Sequence, residues 1–157
     1  LADYDAPLEY VKSDYGDNPL DETLSKEIGK LDVIVSRFSI HHQPDKRKRE
    51  VYKEIFNLLN PGGVFVNIEH VAPAGKSTKS IFENYMIDHL FDYQLKMGKN
   101  KSREQCREEF HQRHQNDTNI IALAEEQCAW LKEIGFINVN CFFKVFEIAI
   151  IGGWKKK

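Results

Sequence analysis

Two apolar runs in the first half of the chain have the pattern of buried strands, with a helical pattern between them. Residues 31–36, LDVIVS, are almost continuously β-branched, which is typical of a strand covered on both faces, as in a parallel sheet. From Asp45 to Leu59 apolar positions recur at helical spacing, and Asn-Pro-Gly-Gly ends that helix. VFVNIEHV then predicts another strand. Strand, helix and strand in this order predict a βαβ unit with parallel strands.

The segment before this unit predicts one more strand. Residues 8–14, LEYVKSD, alternate apolar and polar positions and lead into a turn rich in Asp, Gly, Asn and Pro. The sequence DETLSKEIGK after the turn is typical of a short helix. We therefore expect a half-buried strand and a helix ahead of LDVIVS.

The second half of the chain predicts a helical insertion followed by a helix and a hairpin. Residues 78–115 have no strand pattern and divide into two helices at MGKNKS, so we expect residues 76–119 to form a helical insertion, or lid, within a single domain. ALAEEQCAWLKEI is an amphipathic helix with Gly135 placed to end it. INVNCFFKV and FEIAIIGGW predict two strands joined by a tight turn near Lys144 to Glu147.

Composition narrows the class of protein. The chain has 157 residues, 41% hydrophobic and 29% charged, which is ordinary for one globular domain. Its formal net charge of -2 gives no positive field for nucleic acid. Three cysteines without a CxxC spacing favour reduced thiols and a cytoplasmic location. No apolar run approaches the roughly 20 residues that span a bilayer, so no membrane partner is expected.

Three blocks carry a family resemblance: LDVIVSRFSIHHQPD, then LLNPGGVFVNIEHV, then EEQCAWLKEIGFINVNCFFKVFEIAIIGG. In this order, across about 125 residues, they resemble the C-terminal two-thirds of a class I S-adenosylmethionine-dependent methyltransferase. The resemblance implies a partial α/β, Rossmann-like fold: strands 3 to 7 of a sheet of order 3-2-1-4-5-7-6, with strand 7 antiparallel, a helical insertion after strand 5, and a C-terminal antiparallel hairpin.

The family's glycine-rich loop is missing from the sequence, since no GxG occurs in the 157 residues. The acidic residue that holds the ribose in the family is missing too. We therefore expect the chain to be an N-terminally truncated excerpt of a longer protein. Without strands 1 and 2, LDVIVS would have an unpaired apolar edge, which is a template for association with another chain.

By resemblance, S-adenosylmethionine is the cofactor, and two groups of residues would contact it. Asp14 would accept the adenine amino group and the Tyr15 amide would donate to a ring nitrogen; the alternative is an Asx-turn in SDYGDNP. Ser36, Arg37 and Phe38 leave strand 4 where the family passes the methionine moiety, with core packing as the alternative for Phe38.

Four residues at the ends of the central strands are candidate general bases. His41 and His42 follow strand 4, and Glu69 and His70 follow strand 5, so all lie at the edge where ligands bind in open α/β sheets. An imidazole exchanges protons near neutral pH. A metal site is disfavoured because adjacent histidines usually point apart and no further ligands have a suitable spacing.

The insertion supplies a candidate acceptor pocket. Tyr85, His89 and Tyr93 fall at i, i+4 and i+8 on its first helix and would roof the acceptor; packing of that roof onto the body is the alternative.

These residues lead to methyl transfer to a small-molecule acceptor as the expected function. A carboxy-S-adenosylmethionine synthase of tRNA modification is the alternative enzyme, weakened because the final hairpin has Lys144 and no arginine. A non-catalytic fragment that acts as an interaction module, or a homodimer formed at the strand 4 edge, is the alternative from another class.

Overall fold

The computed structural model describes residues 10–27, 29–115 and 119–157. Its helices are α1 (Leu20–Glu27), α2 (Asp45–Leu58), α3 (Lys76–Lys96), α4 (Arg103–Gln115) and α5 (Ala124–Ile134). Its strands are β1 (Leu31–Arg37), β2 (Leu59–His70), β3 (Ile137–Val145) and β4 (Ile148–Trp154), and a short 3-10 turn covers Ile40–His42. In these three ranges, each helix is too short or too polar to cross a membrane.

The four strands form one sheet of order β1-β2-β4-β3. β1 and β2 run parallel, with Val35 opposite Val66, and α2 connects them as the predicted βαβ unit. β4 pairs antiparallel with both β2 and β3, and the β3–β4 turn lies at Phe146 and Glu147. The α/β fold and its C-terminal hairpin are thus confirmed, and the strand order agrees with the last four strands that the resemblance implies.

The main core lies between the sheet and helices α2 and α5. Tyr52 and Ile55 of α2 and Leu131 of α5 are buried against Phe65 of β2 and against Phe136. Burying side chains of this size stabilises the fold by roughly 1.5–3 kcal/mol each. Helix α5 ends at Gly135, whose φ of 117° is the left-handed conformation expected of a residue after the last turn.

The prediction of a strand over residues 8–14 is wrong for residues 10–14, which have no regular structure; residues 8 and 9 lie outside the described ranges. The Asp14 carboxylate accepts the Gly16 N–H at 3.0 Å, and the Asp14 carbonyl accepts the Asn18 N–H at 3.2 Å. A strand needs a neighbour for its backbone groups, and here local turn bonds satisfy them instead.

The prediction that LDVIVS is covered on both faces is also wrong. Val33 and Val35 are 57% and 60% exposed, whereas Ile34 is partly buried and packs against the main core. The physical reason is that α2 and α5 pack on the Ile34 side, and no described helix covers the Val33 side. β1 is an edge strand, so its other long edge and one of its faces meet solvent within the described residues.

The two helices predicted within residues 78–115 are present as α3 and α4, separated by the MGKNKS turn. They pack on each other through a small core of Ile87, Cys106 and Phe110. Helix α3 meets the rest of the fold at the β3–β4 turn, where the rings of Phe82 and Tyr85 both lie 5.7 Å from the ring of Phe146. The insertion is therefore a small helical unit that contacts the sheet at the turn.

Gly152 of β4 is expected to be intolerant of any side chain. A Cβ there would lie 2.2 Å from the Phe65 carbonyl oxygen of the neighbouring strand. Gly152→Ala should lower the free energy of unfolding by about 3 kcal/mol, measured by urea denaturation. Gly75→Ala is the matched control, because its φ is 177° and nothing lies within 4 Å of the added carbon; a change of about 0.5 kcal/mol or less is expected there. Equal effects of the two changes would contradict this account of the sheet.

Candidate active site

The carboxyl ends of the parallel strands β1 and β2 meet at one edge of the sheet and deliver the candidate residues there. β1 ends at Arg37, and the Phe38 N–H donates to the Ile68 carbonyl of β2 at 2.8 Å. Phe38 then has a φ of 46°, which is uncommon for a bulky residue and turns the chain sharply. This turn carries the backbone directly into the Ile40–His42 segment, so both histidines lie beside the end of β2.

His41 and Glu69 form a buried hydrogen-bonded pair. The Nδ1 of His41 lies 2.5 Å from Oε1 of Glu69, and their side chains are 7% and 1% exposed. The same carboxylate oxygen accepts the His70 N–H at 3.0 Å. A carboxylate bound to Nδ1 orients the imidazole and leaves Nε2 as the nitrogen that can exchange a proton with a ligand.

A chain of buried side-chain hydrogen bonds continues from Glu69 into the core. Asn67 donates to Oε2 of Glu69 at 3.3 Å and to the Tyr52 hydroxyl at 3.2 Å. The Tyr52 hydroxyl in turn donates to Oε1 of Gln127 at 2.5 Å, and Gln127 donates to the Ala122 carbonyl at 3.2 Å. Burial, and next the nearby Glu69 carboxylate, raises the pKa of Tyr52 far above its usual range, so this hydroxyl stays a donor.

The backbone of His41 is tied to the segment that follows α4. The His41 carbonyl accepts the Ile120 N–H at 2.9 Å. The buried ammonium of Lys48 donates to the Ile120 carbonyl and lies 2.6 Å from Oδ1 of Asp45. His41 is thus held by Glu69 through its ring and by Ile120 through its backbone.

The other two candidate bases adjoin this pair. The His42 ring lies 4.0 Å from the His41 ring, and His42 is exposed. The His70 ring lies 5.8 Å from the His41 ring, and its Nε2 is 3.1 Å from Oε2 of Glu147, which is buried in the β3–β4 turn. Over the described residues, no three His, Cys, Asp or Glu side chains are grouped to hold a metal.

A cavity of about 400 Å³ opens over these histidines. Its walls come from the two strand ends, from both insertion helices and from β4: Phe38, His41, His42, His70, Phe82, Met86, Phe110, Asn119 and Ile148. We call it the histidine cavity. Its volume is in the range of small-molecule sites, and its lining combines aromatic walls with a few polar groups.

A second cavity, of about 380 Å³, adjoins the first. It is lined by Ser13, Asp14, Tyr15, Gly16, Phe38, Ser39, His42 and Gln43, and we call it the Asp14 cavity. Phe38 and His42 line both cavities, so the sequence-predicted adenine residues and the candidate bases lie on two sides of one wall. Ser36 and Arg37 instead line a third cavity, of about 300 Å³, on the core side of β1.

Asp14 and Tyr15 are also bound within their own turn. Asp14 makes the Asx-type contact with Gly16, which was the alternative to a cofactor site. The Tyr15 carbonyl accepts two hydrogen bonds from the Arg47 guanidinium, at 2.9 and 2.7 Å, and the Tyr15 hydroxyl pairs with the hydroxyl of Ser39. These contacts hold the turn against α2 and against the Phe38 segment.

The structure places the predicted acceptor residues outside the histidine cavity. Tyr85 and Tyr93 are 42% and 57% exposed, and the Tyr85 ring lies 4.3 Å from the His89 ring, tilted by 40°. Phe82 and Met86, one turn apart on the same helix, line the cavity in their place. The sequence contained this signal, because Phe82 and Met86 are apolar residues at i and i+4 of one helix. The similar spacing of Tyr85, His89 and Tyr93 on the same helix was chosen instead.

Sequence reasoning missed four further residues around the histidines: Tyr52, Asn67, Gln127 and Glu147. Tyr52 and Gln127 lie on the buried faces of their helices. In the sequence, each looks like an ordinary residue of an amphipathic helix. Glu147 was noted only as a turn residue. These residues reach the histidines through contacts between positions up to 77 residues apart in the sequence. The periodicity of apolar positions within one helix or strand cannot predict such contacts.

Comparison with known proteins places this arrangement in a fold class. No protein-family model and no curated protein sequence matches the chain. Among solved structures, it is similar to an O-methyltransferase family protein from Burkholderia thailandensis, with a TM-score of 0.58 and 14% identity over 95% of this chain and 36% of that one. It is also similar to human N-acetylserotonin methyltransferase in complex with SAM, with a TM-score of 0.52 and 15% identity over 94% of this chain and 33% of that one.

A third similar structure is a possible exported protein from Bordetella parapertussis, with a TM-score of 0.53 and 17% identity over 82% of this chain and 40% of that one. The chain spans about a third to two fifths of the length of these structures. Its fold is the Rossmann-like fold of class I S-adenosylmethionine-dependent methyltransferases, and the portion of that fold described here is the part that contains the β3–β4 hairpin.

Removal of the Tyr52 hydroxyl tests the buried network. Tyr52→Phe removes the hydroxyl that donates to Gln127 and one of the two acceptors of the Asn67 amide, so the free energy of unfolding should fall by about 1–3 kcal/mol. Tyr10→Phe is the matched control, because that ring is 91% exposed. Urea denaturation at neutral pH measures both, and an unchanged stability in Tyr52→Phe would contradict the network.

The same variant has a pH signature. Because the folded state raises the pKa of Tyr52, the unfolded chain releases this proton first, near pH 10. The stabilisation is fully present below about pH 10 and is lost as the pH rises above it. Between pH 9 and pH 11, urea denaturation should therefore show that the native protein loses about 1 kcal/mol more stability than Tyr52→Phe.

Proposed function

We propose that the chain belongs to an enzyme that transfers a methyl group from S-adenosylmethionine to a hydroxyl group of a small molecule, with His41 as general base. The observation that carries the proposal is the buried His41–Glu69 pair, which opens on the histidine cavity beside the Asp14 cavity. A base is needed only when the attacking atom must lose a proton, so this pair points to a hydroxyl acceptor.

The Asp14 cavity fits the adenine end of the donor. It combines a carboxylate, hydroxyl and amide side chains, and the aromatic rings of Tyr15 and Phe38. A carboxylate oxygen accepts more than one hydrogen bond, so the Gly16 contact leaves Asp14 able to accept from an adenine amino group. Since the sequence has no GxG, the methionine end has only Phe38, and the backbone of Ser36 and Arg37, as proposed contacts from this chain.

The bound donor supplies a methyl group on a positively charged sulfur. For the transfer, the Nε2 of His41 accepts the proton of the acceptor hydroxyl while the acceptor oxygen bonds to the methyl carbon, and the electron pair of the broken carbon–sulfur bond stays on sulfur. Glu69 acts through His41: it holds Nδ1 and stabilises the imidazolium that forms. The net products are a methyl ether, a neutral thioether and one proton.

The walls of the histidine cavity supply alignment and exclusion of water. Phe82 and Met86 of α3 and Phe110 of α4 close the side opposite the strand ends. Bringing the acceptor within reach of the methyl group supplies much of the rate enhancement in such a displacement. Phe38 lines both cavities, so its ring would contact both reactants at the boundary between them.

Neither alternative function has comparable support from the described residues. A carboxy-S-adenosylmethionine synthase needs a cation for the new carboxylate, but Lys144 pairs with Glu125 at 3.1 Å and does not line the histidine cavity. A non-catalytic interaction module is favoured by one observation, the exposed Val33 and Val35 of edge strand β1. The donor-binding experiment below separates it from an enzyme, since an interaction module has no need to bind a nucleoside.

Donor binding is tested at Asp14. In the protein as its gene encodes it, Asp14→Ala should weaken the binding of S-adenosylhomocysteine by about tenfold, measured by calorimetry, because one charged hydrogen-bond acceptor is lost. Asp17→Ala is the matched control: Asp17 is an exposed acidic neighbour that does not line the Asp14 cavity. The absence of binding in the unchanged protein would refute the proposed function.

Catalysis is tested at His41. His41→Asn should lower kcat for a hydroxyl acceptor by about 10²–10⁴, because proton transfer is lost, while the affinity for S-adenosylhomocysteine changes by less than about threefold. Glu69→Gln should lower kcat less, because the amide oxygen still accepts from Nδ1 but does not stabilise the imidazolium. Formation of S-adenosylhomocysteine is the measurement, and wild-type turnover in His41→Asn would remove this residue from the mechanism.

A further inference from the structure

The pair of His70 and Glu147 has no role in the reaction proposed above. Glu147 is a turn residue, yet it is only 5% exposed, and its Oε2 lies 3.1 Å from Nε2 of His70. Its other oxygen, Oε1, is buried and has no hydrogen-bond partner among the described residues. Burial of a carboxylate is costly unless it is paired and hydrogen-bonded, so stability alone does not explain this position.

The β3–β4 turn is built to hold Glu147 inward. Phe146 has a φ of 52°, and its ring packs against Phe82 and Tyr85 of α3. The Glu147 carbonyl accepts the Val71 N–H at 2.8 Å, which joins the turn to the end of β2. A tight turn with a strained aromatic residue and a buried carboxylate is therefore placed directly beside His70.

The histidine cavity thus contains two imidazoles, each bound through one nitrogen to a buried carboxylate. In His41 this nitrogen is Nδ1, and in His70 it is Nε2. Each ring keeps a second nitrogen that its carboxylate does not engage, and the ring centres are 5.8 Å apart. Two oxygen atoms on adjacent carbons of one ligand can therefore each form a hydrogen bond of ordinary length, about 2.7–3.2 Å, with a different imidazole.

The remaining walls favour a flat, uncharged ligand. The rings of Phe38, Phe82 and Phe110 line the cavity, and aromatic contacts of this kind contribute about 0.5–1.5 kcal/mol beyond area burial in other proteins. No Lys or Arg is among the described lining residues, while Glu69 and Glu147 lie directly behind the histidines. An anionic ligand such as a carboxylate or phosphate would find no counter-charge there.

We infer that the acceptor is an aromatic compound with two adjacent hydroxyl groups, of which one meets His41 and the other meets His70. This inference rests on the proposed function, because it names the acceptor of the same reaction. The His41 hydroxyl loses its proton and is methylated. The His70 hydroxyl keeps its proton, donates it in a hydrogen bond, and sets which oxygen faces the methyl group. His70 and Glu147 are positioning residues in this scheme.

The inference is tested with a panel of three acceptors: catechol, its 1,3-isomer resorcinol, and phenol. In the protein as its gene encodes it, kcat/KM for catechol should exceed that for each of the others by about tenfold or more, since one well-placed hydrogen bond is worth about that factor. The product should be the mono-methyl ether, and this product should itself be a poor acceptor because it cannot offer both hydroxyls.

Two variants test whether the preference for catechol depends on the pair of His70 and Glu147. His70→Asn and Glu147→Gln should each bring the catechol-to-phenol ratio of kcat/KM to within about threefold of one. Glu125→Gln is the matched control, because it breaks a surface ion pair with Lys144 and should leave the ratio unchanged. A preference that persists in both His70→Asn and Glu147→Gln, or equal rates for catechol and phenol in the native protein, overturns the inference.

Binding without the donor separates this failure from failure of the proposed function. Titration of catechol and phenol, followed by the NMR signals of the histidine rings, reports ligand preference when no methyl transfer can occur. Methylation of phenol and catechol at equal rates supports the proposed function and overturns the acceptor assignment. Preferential catechol binding that His70→Asn abolishes, without methylation of any acceptor, supports the site and overturns the methyl transfer.

Discussion

The burial of the Glu69 charge is the constraint on which the site depends. A carboxylate with 1% exposure has lost nearly all its water, so the protein must surround it with donors. It does so with the ring of His41, the backbone N–H of His70 and the amide of Asn67. These donors come from the ends of β1 and β2, which the parallel pairing of the two strands brings together. The geometry of the site therefore depends on the topology of the sheet.

The network behind Glu69 extends this requirement into the core. Tyr52 and Gln127 belong to the two helices that cover the sheet, and their hydrogen bond joins α2 to α5. Hydrogen bonds are stronger in the low-dielectric interior than in water, so this chain of bonds restricts the side chains that form it. The bonds that orient the imidazole therefore also connect the two helices. A shift of either helix would change the position of Glu69 and, through it, the orientation of the His41 ring.

Periodicity and turn chemistry were enough to predict the βαβ unit, the helix that ends at Gly135 and the C-terminal hairpin, because each is encoded in a short window. The same reasoning failed for residues 10–14 and for the outer face of β1, where the result depends on whether a neighbouring strand or helix is present. At the site, the strand-end position of His41 and Glu69 was readable from topology. The side chains behind them were not, since Tyr52 and Glu147 reach the site only through tertiary contacts.

The uncovered face of β1 has a thermodynamic consequence. The steepness of denaturant unfolding and the heat-capacity change both scale with the surface that unfolding newly exposes. Val33 and Val35 already meet water in the folded state, so they add little to either quantity. Ile34, between them, contributes more because it is partly buried against the main core. Alternate residues of one strand thus contribute unequally to the denaturant dependence and the heat capacity of unfolding. A layer that covered the outer face of β1 would increase both quantities, and the contacts of the histidines would stay as they are.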